Sequence, residues 1–366
     1  MQASRINITI NELLTAEPVS ETLKCALRTI YEEVAEFRFD YPLMAVPQAG
    51  PKDSLHYYLY KYSKTPPYRS VMRLDSRGIA RVYDRVTGVV YRPAFIAMYG
   101  IGNLSHYLRS GNPEHLKVFL NQVDWLEQNA VTRADGAIIW PHNFDLQDGP
   151  VLLRAPWVSA NVQGFVMSAL VRAWRITQRQ RLLDLVKGAA RVFELDCPNG
   201  GVRVQAEGHV VYTEVPGLPA PGILDGFMRS LLGLFDLHVE TGDPKVYELF
   251  LQGVEGLKYF LPRWDYRKKW SLYSNQSYLC TPSYHCLNRM LLIVFARLTG
   301  ESTLAGYAED WNPARLSPFD RAEIYLAFLL TKNACRFRYK TWRQRAVATA
   351  SSIRPETGRL LAGGNN

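Results

Sequence analysis

The stretch LGLFDLHVETGDPKVYELFLQGVEGLKYFL, residues 232–261, decides the fold. Apolar residues recur every three to four positions on both sides of Thr241-Gly242-Asp243-Pro244, the spacing of two amphipathic helices. The tetrapeptide between them has the composition of a tight helix-to-helix turn: glycine closes the first helix, aspartate caps the second, and proline enters its first turn. Three more segments share the design: SHYLRSGNPEHLKVFLNQVDWL (105–126), VRAWRITQRQRLLDLVKGAARVF (171–193) and LIVFARLTGESTLAGYAEDW (292–311). Ser110-Gly111-Asn112-Pro113 repeats the turn closely and Thr299-Gly300-Glu301 more loosely. Successive turns lie roughly sixty residues apart, the length of a helix hairpin and a long return loop.

Such a hairpin cannot bury both apolar faces alone, so neighbours must stack in a curve or a ring. The expected fold is mainly α, an (α/α) toroid of antiparallel helix hairpins over residues 94–345. Ahead of it, residues 1–40 read as a helical segment in which Leu23, Ala26, Leu27, Ile30, Val34 and Phe37 share one face. Residues 41–93 read as β-rich, with hairpin signals at Asp75-Ser76-Arg77-Gly78 and Val86-Thr87-Gly88. Residues 346–366 read as a flexible tail. The return loops, among them DGAIIWPHNFDLQDGP (135–150) and GGVRVQAEGHVVYTEVPGLPAPG (200–222), gather at one end of a toroid, and a site is expected there.

With 366 residues, 47% of them hydrophobic, the chain can bury one large core. Its net charge of +9 favours a polyanionic partner. Nucleic acid is not expected, because the basic residues are scattered and neither zinc-finger spacing nor an RNA-binding aromatic signature is present. An anionic membrane face and an acidic polysaccharide are the other polyanionic partners, and charge alone does not choose among the three. Arg336, Arg338, Lys340, Arg343 and Arg345 make the C-terminal end basic; this reads first as a solvated helix face and second as peripheral attachment to anionic lipid. Five cysteines, without a C-x-x-C pair, read as reduced thiols rather than a disulfide framework or a zinc site. Asp53, Asp75 and Asp84 match no calcium-loop spacing, so no metal site is expected, and no dinucleotide fingerprint calls for a cofactor. No apolar run is long enough to span a bilayer, and no leader-like segment opens the sequence; a cytoplasmic protein, at most peripheral to a membrane, is expected. The exposed edges of a helical toroid suggest a homodimer.

Four segments carry a family resemblance: YRPAFIAMYG (91–100), APWVSANVQGFVMSALVRAW (155–174), TEVPGLPAPGILDGFMRSLLGLFDL (213–237), and the pair KKWSLYS (268–274) and SYHCLNRMLL (283–292). Their order and spacing resemble the C-terminal domain of D-glucuronyl C5-epimerases, which convert glucuronate to iduronate within heparosan-type polymers. The likeness runs from about Tyr91 to Trp311. It implies a catalytic carboxylate at Glu214 and catalytic tyrosines at Tyr284 and Tyr273. Two positions depart from the family pattern: Val215 stands where a tyrosine follows the glutamate, and Tyr273 is followed by Ser274, Asn275 and Gln276 without the family's arginine.

Inverting C5 of a uronate removes a proton α to a carboxylate and returns one on the opposite face, which takes two acid/base groups flanking the ring. The intermediate gathers negative charge on the carboxylate, so preorganised donors are needed. Arg154, Asn161, Gln163, His285 and Asn288 are the candidate donors, and Trp157 a candidate sugar-stacking surface beside Trp264 and Trp270. Each also has an ordinary structural reading: buried ring, helix cap or core filler. A lyase on the same toroid shares the carbanion and differs in expelling the C4 oxygen. A hydrolase needs a second carboxylate beside Glu214, for which Asp225 and Asp148 are available. A non-catalytic sugar-binding module is the reading from another class.

Overall fold

The computed structural model describes residues 72–84, 88–148, 151–274 and 278–339, with Ile30, Tyr31, Val34, Ala35 and 37–39. Ile30, Tyr31, Val34 and Ala35 of the expected N-terminal segment are helical; the rest of that segment apart from 37–39, the β-rich region before Met72, Cys25, Asp53, Lys340, Arg343, Arg345 and the tail over 346–366 lie outside the described residues.

Eight helices form four hairpins: α1 (Pro93–Ser110) with α2 (Pro113–Gln128), α3 (Ala160–Thr177) with α4 (Gln180–Ala190), α5 (Leu224–Thr241) with α6 (Pro244–Phe260), and α7 (Pro282–Thr299) with α8 (Ser302–Asp310). The turns follow the sequence chemistry. Gly111 and Gly242 take left-handed φ values of 69° and 66°, Asn112 and Asp243 cap the next helix through the backbone N–H of Glu114 and Lys245, and Pro113 and Pro244 occupy the first turn. Between α3 and α4 the left-handed position falls on Gln178, at φ 55°, which the glycine-based pattern did not reveal. The odd-numbered helices pack on one another in the order α1, α3, α5, α7 and form the inner layer; their even-numbered partners cover them outside. This is the (α/α) toroid architecture. A ninth helix, α9 (Pro318–Tyr339), follows the last hairpin.

The seam between α3 and α5 is the tightest helix pair. A Cβ on Gly164 would lie 2.5 Å from the carbonyl oxygen of Arg229, and one on Gly233 would lie 2.6 Å from the Cα of Gly164, so the two backbones touch. At the far end of the same seam, the buried Asp236 receives a 2.5 Å bond from Nη1 of the buried Arg172, and Arg175 pairs with Glu240.

Strands β1 (Met72–Leu74), β2 (Ala80–Asp84) and β3 (Gly88–Val90) form an antiparallel sheet in that order. The β1–β2 turn is held by Asp75, whose Oδ1 accepts from the N–H groups of Arg77 and Ile79. Residues 85–87 of the second expected turn lie outside the described set. Gln122 of α2 binds the sheet on both sides, accepting from Ala80 N and donating to Gly78 O, and Ile79 and Ala80 enter the main core.

The return loops carry two-stranded ribbons: β4 (Val131–Thr132) with β5 (Ile138–Ile139), β6 (Leu146–Asp148) with β7 (Val151–Leu153), β8 (Arg203–Ala206) with β9 (His209–Tyr212), and β10 (Asp265–Tyr266) with β11 (Trp270–Ser271). Trp140, Trp264 and Trp270 are core residues, correcting the sugar-groove reading of the latter two. Each indole N–H donates to a buried carbonyl, of Leu126, Gly222 and Cys280 respectively. Arg336 is also buried, bonded to Asn333, so it leaves the solvated basic face expected for that segment. Trp270 anchors a second apolar cluster with Leu279, Leu316, Ile324 and Phe328, on which Phe37 and Phe39 pack; it seats α9 against the fourth hairpin. Among the described residues no helix is long and apolar enough to cross a membrane, and no group of three or more His, Cys, Asp or Glu could hold a metal ion.

Candidate active site

The inner helices all begin at the same end of the toroid, and the loops feeding them are stitched to one another there by main-chain bonds. Ala160 N, at the start of α3, donates to Thr213 O at 3.0 Å. Leu224 N, at the start of α5, donates to Tyr273 O at 3.4 Å, and Ile223 bridges Ser274. His142 and Trp157 exchange two backbone bonds, which ties the β5–β6 loop to the entry of α3. Glu214 and Tyr273 are therefore held by the neighbouring hairpins as much as by their own.

Glu214 leaves the loop between a tethered Thr213 and a buried Val215. The Val215 side chain packs with Leu218 and Ile223, and Tyr273 rests on that small cluster. The Glu214 carboxylate lies over the first turn of α5: its Oε1 accepts from Nδ2 of Asn161 at 3.0 Å, and its Oε2 sits where a Cβ on Gly226 would come within 1.8 Å. Glycine at 226 is what makes room for it. Asp225, buried in the same turn, pairs with Nη1 of Arg229 at 3.0 Å, and the Arg229 guanidinium stands over the Phe165 ring at 4.9 Å.

Tyr273 faces Tyr284 edge-on at 5.4 Å between ring centres and lies flat against Tyr278 at 5.3 Å. Tyr278 is met from the other side by the ammonium of Lys332 on α9, 5.8 Å from its ring centre. Glu214, Tyr273 and Tyr284 are densely surrounded by protein yet keep part of their surface open, the combination found on the floor of a cleft. Burial, with the negative charge of Asp225 adding to it, raises the Glu214 carboxyl to about 8 against the smaller opposing pull of Asn161 and Arg229. Burial likewise raises Asp225 and lifts Tyr273 well above the ordinary phenol range, so the Tyr273 phenol stays protonated.

The other residues singled out from sequence are placed differently. Gln163 is fully enclosed, with its oxygen taken by Trp140 N and its amide by Ile138 O. His285 is fully enclosed as well; its Nδ1 accepts from Ser271 N, its Nε2 faces Trp311 O, and its ring stacks on Trp270 at 3.6 Å. Asn288 donates to Ser271 Oγ and Cys280 Sγ behind the tyrosines. Trp157 packs against His142 at 4.1 Å with its indole N–H on Phe144 O, and the exposed Arg154 pairs with Asp145 at 2.5 Å. Of the candidate donors, Asn161 bonds the carboxylate of Glu214. Four neighbours escaped the sequence reading of binding groups: Gly226, Arg229, Tyr278 and Lys332. Only Gly226 had a local signal, a glycine in the first turn of a helix immediately after an acidic residue.

Residues 134–313 match the family described as D-glucuronyl C5-epimerase C-terminus. A D-glucuronyl C5-epimerase of Caenorhabditis elegans is 28% identical over 216 residues, covering 54% of this chain and 35% of the worm protein. The segment matched, just under half of the chain, is similar to the C-terminal domain of D-glucuronyl C5-epimerases. An uncharacterized protein of Methanocaldococcus jannaschii is similar over a comparable stretch, 24% identical over 221 residues, 56% of this chain and 70% of that one. The chain thus spans about a third of the length of the worm epimerase. Among solved structures, a GH76 alpha-mannanase of Bacteroides thetaiotaomicron aligns with 75% of this chain and 78% of its own at 13% identity and a TM-score of 0.42. A D-mannose isomerase aligns with 92% and 88% at 14% identity and a TM-score of 0.41. The family is one of carbohydrate epimerases, and its matched segment here includes Glu214, Tyr273 and Tyr284, together with Asn161 and Asp225. The α9 helix, with Lys332, lies beyond it.

Proposed function

We propose that this chain is a uronate C5-epimerase acting on an acidic polysaccharide, converting glucuronate to iduronate residues by removing the C5 proton and returning one to the opposite face. The observation that carries the reading is that Glu214 lies close enough to Tyr273 for its charge to act on the phenol, while Tyr273 meets Tyr284 edge-on, at the shared N-terminal end of α3, α5 and α7.

Glu214 and Tyr284 act from opposite sides of the sugar ring. A carboxyl whose proton equilibrium lies near neutrality works as base and as acid at the same pH, and general acid–base catalysis is most efficient there. Loss of the C5 proton leaves the electron pair conjugated with the sugar carboxylate. The added charge is met by the neutral Tyr273 phenol and the Asn161 amide, both fixed in place before substrate arrives. No redox step is required. Lys332, 5.8 Å from the Tyr278 ring centre and 5.1 Å from that of Phe328, supplies a cation for the uronate carboxylate, the part that the family's arginine after Tyr273 would otherwise play. The net charge of +9 draws a polyanion to such a cleft.

The test is incubation with glucuronate-containing polymers in D2O, with deuterium at C5 followed by NMR and unsaturated uronate by ultraviolet absorbance. C5 exchange without unsaturation, lost in Glu214→Gln and Tyr284→Phe, is the expected result. Accumulation of unsaturated product would make the chain a lyase, and silence on all uronate polymers would overturn the enzymatic reading.

A further inference from the structure

Two carboxyl groups, Glu214 and Asp225, and the guanidinium of Arg229 stand together at this end of the toroid. Asp225 Oδ2 takes that guanidinium, Arg229, at 3.0 Å. Glu214 rests on the same helical turn, its Oε2 against Gly226, and its one hydrogen-bonded contact is the neutral amide of Asn161. The charge of Arg229 reaches Glu214 less strongly than that of Asp225, and Asp148 of β6 adds a further carboxylate. The loop and α7 contribute Tyr273 and Tyr284, both phenols. A second uncompensated negative charge in so enclosed a place is strongly disfavoured, and paired carboxyls in such sites hold a proton between them.

We propose that Asp225 is a positioning residue which, by holding Arg229, keeps that guanidinium from pairing with Glu214, so that the two carboxyls share one proton and it rests on Glu214. Glu214 then rests as the acid, and the fraction of molecules with Glu214 ready to act as a base grows only as the pH rises through neutrality. The raised Glu214 equilibrium agrees with this arrangement. The catalytic part of the inference rests on the epimerase reading, while the shared proton does not.

The proton can be read without substrate. In protein labelled with 13C at glutamate Cδ, the resonance that disappears in Glu214→Gln reports Glu214. Its wild-type midpoint is expected above neutrality. Asp225→Asn is expected to lower the midpoint by about one pH unit or more, since it deletes a negative charge and releases Arg229. Arg229→Gln is expected to raise it, and opposite movements in the two variants separate electrostatics from general disruption. An ordinary carboxylate midpoint in the wild type, or the same midpoint in Asp225→Asn, would overturn the proposal. The pH profile of C5 exchange should follow: its acidic limb moves down in Asp225→Asn. Coupled NMR midpoints with no C5 exchange would refute the epimerase reading and leave the shared proton standing; exchange with an unmoved limb and midpoint would do the reverse.

Discussion

Adding a methyl group at Gly226 separates the candidate chemistry from the scaffold. The Cβ of Gly226→Ala would meet Glu214 Oε2 at 1.8 Å, Cδ at 2.8 Å and Cβ at 2.9 Å. An ordinary contact begins near 3.4 Å, so the carboxylate must retreat by about 1.6 Å, the difference between 3.4 and 1.8 Å. What stands in the way is a side chain rather than backbone, and it can swing away. The stability change is therefore small: overpacking costs about 1–3 kcal/mol, and alanine recovers about 1 kcal/mol of helix propensity over glycine. Displacing a reacting group by an ångström costs about a hundredfold in rate, and more is expected here because the Asn161 bond is lost too. The expected outcome is a melting temperature within a few degrees of wild type and C5 exchange reduced by about a hundredfold or more. Exchange within about threefold of wild type would refute the placement of Glu214 over α5 as the reactive geometry. A collapse in melting temperature would show that Gly226 serves backbone packing instead.

The α3–α5 seam predicts the contrary pattern. Gly164→Val drives side-chain atoms into the Arg229 and Ser230 backbone, and a loss of about 3 kcal/mol or more in urea unfolding is expected. Asp236→Ala leaves the buried Arg172 without its carboxylate and should cost about 3–5 kcal/mol by the same measurement, with the cleft end unaltered in NMR spectra. Burial lowers both His142 and His285 to about 3, so the unfolded chain takes up two protons that the folded one refuses. Their stabilising share is complete above the unfolded histidine value near 6.5 and is lost as the pH falls below it; from pH 7.5 to 5.5 each costs about 1.4 kcal/mol. His285→Gln should remove about half of that pH dependence in thermal scans, and an unchanged dependence would contradict the buried neutral imidazole. Lys332→Gln is expected to raise KM for a uronate polymer about tenfold with kcat little changed, and to weaken the salt dependence of KM. Equal losses in both constants would speak against a substrate-binding cation.

Local chemistry made the hairpins legible. Gly-Asn-Pro and Gly-Asp-Pro announce a helix stop, a cap and a restart within four residues, and no distant contact is needed to read them. The order of the inner helices and the end at which their loops gather follow from that repetition. The roles of the tryptophans did not follow, because whether an indole fills a core or lines a groove depends on a carbonyl brought to it from elsewhere, as Gly222 O is to Trp264. His285 and Gln163 were misjudged as binding groups for the same reason: a polar side chain beside a candidate site and one bonded into the packing behind it look identical in one dimension. Glu214, Tyr273 and Tyr284 are named by the resemblance, and Asp225 and Asp148 by the need of a hydrolase for a second carboxylate, but sequence does not choose which of the two stands beside Glu214. Asp225 sits one residue inside a helix, where acidic residues are common for reasons of capping alone.

The floor of the cleft is shared by three consecutive hairpins, and this has a temporal side. Glu214 leaves the ribosome 70 residues before Tyr284. Tyr284 follows Phe260, the end of the third hairpin, by 24 residues, so at a synthesis rate of about 5–20 residues per second the second and third hairpins can pack about 1–5 s before the tyrosine wall exists. Through that interval the Glu214–Asp225 floor faces water, both carboxyls well solvated, and only the arrival of α7 encloses them. The last inner helix to be made is thus the one that turns an ordinary pair of acids into a reactive one, and a nascent chain stalled before Pro282 would be folded in its first three hairpins and chemically silent.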